Sequence, residues 1–150
     1  MDGSKKRIVV GVDGSDHSRA ALRWALGQAR LSGASLDAVT AWRYPVTYGL
    51  AVLPGELDME NDSAKALAEA VAEAGGGAPG VEIRQLVGEG PAAEVLLNAS
   101  KGADLLVVGS RGLGEFKSAF LGSVGLACAI HAKCPVVVYR EKDSDDATAG

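Results

Sequence analysis

The sequence predicts an α/β fold: one five-stranded parallel sheet, order 3-2-1-4-5, with helices on both faces. Three observations lead there. Short apolar runs alternate with stretches of helical periodicity from Ile8 to Tyr139. The run Leu105-Leu106-Val107-Val108 is apolar throughout and closed by Gly109, as a parallel strand covered on both faces requires. Turn-forming loops follow the first and fourth runs, which this strand order places side by side, so both loops face one crevice at the carboxyl edge.

The elements follow in order. Ile8 to Val12 is a short apolar run ended by Asp13-Gly14-Ser15, and reads as a buried strand. Ser18 to Leu31 places Leu22, Ala25, Leu26 and Ala29 on one helical face. Ser15, Asp16 and Ser18 are its candidate N-caps, and Gly33 its stop. Leu36 to Ala41 is the second strand, and Trp42 to Glu60 a long irregular connection. Asn61 to Ala74 is the second helix, ended by Gly75-Gly76-Gly77-Ala78-Pro79-Gly80. Val81 to Val87 is the third strand. Pro91 opens a helix with Val95, Leu96 and Ala99 inward, because its missing N–H costs nothing in a first turn. After the fourth strand a glycine-rich loop runs to Gly122, a helix spans Ser123 to about Ala132, and Pro135 to Tyr139 is the last strand. The acidic stretch Glu141 to Gly150 has no apolar pattern and reads as a disordered tail to a domain of residues 1–140.

Composition narrows the function. The 150 residues are 47% hydrophobic, 23% charged and only 5% aromatic, with a net charge of -4. That is a globular domain without the basic patch of a nucleic-acid or membrane-surface binder, or the aromatic platforms that single strands stack on. No apolar run approaches the roughly 18 residues of a transmembrane helix. Lys5-Lys6-Arg7 is followed by too short a run before Asp13 to read as a signal peptide, so the expected location is cytoplasmic. Cys128 and Cys134 match no redox or zinc spacing and read as small buried hydrophobes.

The loop Gly109-Ser110-Arg111-Gly112-Leu113-Gly114 through Gly122-Ser123-Val124 carries the chemistry. Glycine lets main-chain N–H groups approach an anion, and a helix start adds free donors and a favourable dipole. Hydrogen bonds to charged oxygen contribute about 1.5–3 kcal/mol each. Three or four match the ~8 kcal/mol of a micromolar complex before ordering costs. The Ser123 hydroxyl is a further phosphate donor, and Arg111 and Lys117 are candidates for added charge or for a solvated role. Neither GxxxxGK[ST] nor GxGxxG is present.

Gly109-x2-Gly112-x9-Gly122-Ser123 matches the ATP-binding signature of the universal stress protein family, spacing included. Ile8 to Ser15 resembles that family's opening strand and turn. Gly88-Glu89-Gly90-Pro91 through Val95 resembles its entry into the third helix, and Lys133 to Val138 its closing strand. The resemblance covers about residues 5 to 140. It implies a Rossmann-like fold of the adenine nucleotide alpha hydrolase type, an ATP cofactor and a homodimer joined through the Pro135–Tyr139 edge strand. It also implies a site in which Asp13 lies near the nucleotide, with Gly11 and Val12 lining the pocket and Ala41 meeting the adenine edge. Val108 and Gly109 would lie by the sugar, and Gly112, Gly122, Ser123 and Val124 would hold phosphates. Asp13 is the candidate to approach a phosphate-bound Mg²⁺, since magnesium favours carboxylate and phosphate oxygens; its competing reading is a turn residue or helix cap. Residues 42–60 follow no pattern of the family.

The other polar residues point elsewhere. His17 and His131 sit at opposite ends of different helices, without a ligand partner at metal spacing. Glu56, Asp58, Glu60 and Asp62 read as a solvated acidic face, with cation binding as the alternative. No GxSxG or Cys–His pairing marks a nucleophile. Three functions remain: an ATP-binding regulatory or stress-response protein, a slow Mg-dependent ATPase with Asp13 orienting metal and water, and a dimeric interaction module that does not use nucleotide.

Overall fold

The computed structural model describes residues 5–44, 58–75, 80–111 and 121–141. Its elements run β1 (Arg7–Gly11), α1 (Asp16–Ser32), β2 (Ser35–Trp42), α2 (Met59–Glu73), β3 (Ile83–Glu89), α3 (Ala92–Ala99), β4 (Leu105–Gly109), α4 (Ser123–His131) and β5 (Val136–Tyr139). The sheet is parallel throughout, ordered β3-β2-β1-β4-β5, as the sequence predicts. Val10 pairs with Ala38 on one side and Val107 on the other, so the apolar runs lie in register at the centre. The acidic tail after Glu141 and most of the 42–60 connection lie outside the described residues.

Local chemistry sets the boundaries. Ser15, not Ser18, caps α1: its hydroxyl accepts from Ser18 N, while Ser18 lies inside the helix. Gly33 ends α1 at φ 74, a left-handed conformation that favours glycine, and its N–H bonds Ala29 O. Asp58 caps α2 by accepting from Asn61 N, which starts that helix at Met59. Glu60 and Asp62 then fall in its first turn, where negative charge suits the dipole. The part of the acidic run that is described thus serves the helix start. Trp42 is the last residue of β2, not part of the connection: it pairs with Glu89, and its carbonyl accepts Gly90 N at 2.8 Å.

Two apolar clusters cover the two sheet faces. Ile8, Val10, Leu36 and Val107 meet Leu22, Leu26, Leu67 and Val71 of α1 and α2. On the other face Val9, Val39, Leu106 and Val108 meet Leu96 and Cys128 of α3 and α4. Each such side chain contributes about 1.5–3 kcal/mol through burial. Burial pushes the Cys128 thiol up to about 11, with the neighbouring Cys134 adding to the effect, so it is a neutral hydrophobe at physiological pH. Two glycines let α3 sit close to the sheet. A Cβ on Gly11 would stand 2.7 Å from Leu96 Cδ1, and one on Gly88 would stand 2.6 Å from Val95 Cγ1.

One buried charge breaks the apolar pattern. Asp37, in β2, is 0% exposed. It accepts from Arg84 Nε at 2.9 Å and Arg84 Nη2 at 2.7 Å, and from Arg7 Nη1 at 3.0 Å. Arg7 also donates to Ala99 O at 3.0 Å and Lys101 O at 2.7 Å, tying the end of α3 to the start of β1. This network lies at the amino edge of the sheet, away from the crevice.

Candidate functional site

At the carboxyl edge of β1, β2 and β4 lies a cavity of about 240 Å³. Gly11, Val12 and Asp13 enter it from β1, Ala41 from β2, and Val108 and Gly109 from β4. Arg111, Gly122 and Val124 close the side toward α4. All of these were candidates from the sequence. Of the remaining candidates, Ser123 is the first residue of α4, exposed and not part of the lining, and Gly112 and Lys117 lie outside the described residues.

The lining also includes Ser18, Val39, Ala92, Leu96 and Gly125, which the motifs did not mark. Val39 was recoverable from strand alternation, since it shares a face with Ala41. Leu96 reads from sequence only as core, and it is both: it packs on Gly11 and forms part of the cavity wall. Gly125 carries no sequence signal, but a Cβ there would meet Leu121 Cδ1 at 2.7 Å and Gly109 O at 3.6 Å.

Gly109 lines the cavity and is also required for packing. A Cβ on it would stand 2.9 Å from His17 C, 3.0 Å from His17 O and 3.1 Å from Ser18 N, all backbone atoms of the first turn of α1. Gly109→Ala is therefore expected to push α1 off the sheet and cost about 1–3 kcal/mol. Urea denaturation checks this, and a variant as stable as the parent would show that α1 yields freely.

Helix ends decide where an anion is welcome. The start of α1 is already capped by Ser15, whose N–H and hydroxyl both donate to Asp13 Oδ1, at 2.9 Å and 2.5 Å. Asp13 N donates to Ser18 Oγ at 3.1 Å. Asp13 is thus the anchor of the turn into α1 while also lining the cavity, and the helix cap is its neighbour Ser15. By contrast α4 begins at Gly122 with no side-chain cap, and its first-turn residues Val124 and Gly125 line the cavity. The Gly122 N–H itself is spent on Ser110 O at 2.7 Å, so Gly122 contributes by lacking a side chain at the cap position. An anion there would meet the positive end of the dipole, worth about 0.3–1 kcal/mol before any hydrogen bond.

Three buried polar atoms among the described residues have no hydrogen-bond partner: Ser110 Oγ, His17 Nδ1 and Arg19 Nε. Leaving such an atom unsatisfied costs about 1–3 kcal/mol. Among the described residues no group of three or more His, Cys, Asp or Glu could hold a metal. No helix there is long and apolar enough to cross a membrane.

A doubly wound parallel sheet with a glycine-lined crevice between its first and fourth strands defines a Rossmann-like fold. The family model of the universal stress protein family matches residues 5–140, and the chain belongs to that family. Universal stress protein Rv2624c of Mycobacterium tuberculosis is 34% identical over 140 residues, covering 91% of this chain and 49% of the relative. The chain thus spans about half the length of such mycobacterial relatives. A universal stress protein of Thermus aquaticus is 37% identical over 139 residues, covering 90% of this chain and 98% of the relative. Among solved structures, a universal stress protein in complex with cAMP superposes with a TM-score of 0.66 at 27% identity, covering 93% of this chain and all of that one.

Proposed function

We propose that this chain is an ATP-binding universal stress protein with a regulatory role, its nucleotide held in the crevice between β1 and β4. The observation that carries this reading is an uncapped helix, α4, opening beside a mainly apolar cavity. Adenine suits the apolar end formed by Val39, Ala41 and Leu96, with Ala41 offering main-chain contacts, and the sugar lies by Val108 and Gly109. Phosphates suit the end where the α4 backbone, Ser123 and Arg111 supply donors and charge, and Gly112, outside the described residues, is the further phosphate candidate of the family signature. At about 240 Å³ the cavity falls just under the roughly 300 Å³ of ordinary small-molecule clefts, so the phosphates extend along its rim. The cAMP-bound relative supports an adenine nucleotide as ligand. Magnesium would arrive with the phosphates, and Asp13 is the carboxylate beside the cavity to receive it.

Native purification, denaturation and mass spectrometry of the released small molecules test the reading. About one ATP per chain supports it, and ADP shifts weight to slow turnover. No nucleotide, together with no binding of added ATP, overturns it in favour of an interaction module.

The same reading includes a cytoplasmic homodimer. Among the described residues β5 is an edge strand, pairing with β4. Pro135 O and Tyr139 O accept from Leu106 N and Ser110 N on β4, so by alternation Val136 and Val138 turn their N–H and C=O groups outward. Such an apolar edge invites pairing with its twin. Val138→Pro removes an outward N–H and spares the bonds to β4, and it is expected to sediment as a monomer. A dimer that persists would place the interface elsewhere.

A further inference from the structure

We infer that Ser110 is a nucleotide-binding residue whose hydroxyl, buried and unpartnered in the unliganded protein, hydrogen-bonds the phosphate end of the ligand. This rests on the adenine-nucleotide reading above.

Ser110 is 2% exposed, and its Oγ has no hydrogen-bond partner. Buried hydroxyls are nearly always satisfied, so one that is not asks for a partner yet to arrive. Its place in the chain says which. Ser110 stands behind the cavity wall, between Gly109 and Arg111, which both line it. Its N–H donates to Tyr139 O at 2.9 Å, and its carbonyl accepts the Gly122 N–H at 2.7 Å. The backbone is pinned on both sides, and only the side chain is uncommitted.

Alternation along β4 gives its direction. Val108 packs in the cluster on the α3 and α4 face, and a Cβ on Gly109 would meet α1 on the opposite face. The next side chain, that of Ser110, therefore returns to the α4 face, beside the first turn of the helix that no side chain caps. The other two unpartnered atoms, on His17 and Arg19, belong to α1, whose start Ser15 already caps.

The test compares AMP with adenosine, by calorimetry, on the full chain and on Ser110→Ala. A contact to phosphate predicts that Ser110→Ala loses roughly 10- to 100-fold in affinity for AMP and none for adenosine. The unliganded variant should melt at or above the parent temperature, because an unsatisfied hydroxyl has been removed. Equal losses for both ligands would mean that Ser110 acts through the fold, and no loss for either that an ordered water satisfies it. Both outcomes overturn the inference, as does a parent protein that binds adenosine as tightly as AMP. A parent that binds neither ligand brings down the nucleotide reading itself, and this inference with it. Ser110→Cys, near in shape but a weak donor, carries the same comparison should the alanine variant fold poorly.

Discussion

Gly122→Asp is expected to abolish nucleotide binding while leaving the protein as stable as before or slightly more so. Gly122 holds the N-cap of α4 at φ -70 and ψ 165, an extended conformation that aspartate adopts without strain. Aspartate is among the best N-caps, and its carboxylate would accept from the first-turn N–H groups, adding a few tenths of a kcal/mol over glycine. The same carboxylate would occupy the position proposed for phosphate and repel what remains of its charge. Losing two charge-assisted hydrogen bonds predicts at least roughly 100-fold weaker binding of AMP or ATP. Calorimetry together with thermal denaturation checks both halves. Opposite signs on binding and stability are the signature of a ligand-filled cap, and undiminished affinity would place the phosphates away from α4.

Asp37→Ala is expected to cost about 3 kcal/mol, by leaving two arginines that converge on the sheet without their carboxylate. The figure sits at the low end of what breaking a buried pair costs, because Arg84 is 57% and Arg7 24% exposed and both can rehydrate. In a chain of this size that is a fall of roughly 6–12 °C in melting temperature. Burial by itself would raise the Asp37 pKa. Hydrogen bonds and charge from Arg84 and Arg7 outweigh it and hold the carboxyl below the ordinary value of 3.8. The contribution is therefore complete above about pH 4 and is lost as the pH falls through the lowered folded-state value. The gap in stability between parent and variant should be full at pH 7 and shrink in acid. A gap that stays constant into acid would show that packing, not charge, holds this corner.

The fold was legible because its signals are local. Two side-chain periodicities alternate along the chain, turn residues separate them, and right-handed crossovers leave few sheets to choose from. The candidate site was legible where the family's glycine pattern falls on a strand end or a helix start, as at Gly11, Gly109 and Gly122. It was not legible where a residue looks like ordinary core. Leu96 shows only an apolar pattern, and nothing in its own neighbourhood of the sequence tells a core wall from a cavity wall. Asp37 was hidden for the opposite reason: one acid in an apolar strand means nothing until Arg7 and Arg84, from strands on either side of β2, are seen to meet it.

By itself, then, the sequence determined the order and type of the elements, the parallel sheet and the loops that face the crevice, because periodicity and turn chemistry act over a few residues. Tertiary structure alone decided which groups are already spent. It commits Ser15 to capping α1, Asp13 to the turn before it, the Gly122 N–H to Ser110 and Asp37 to two distant arginines. Hydrogen bonding is directional and saturable, so which donor remains for a ligand depends on contacts between residues far apart in the chain.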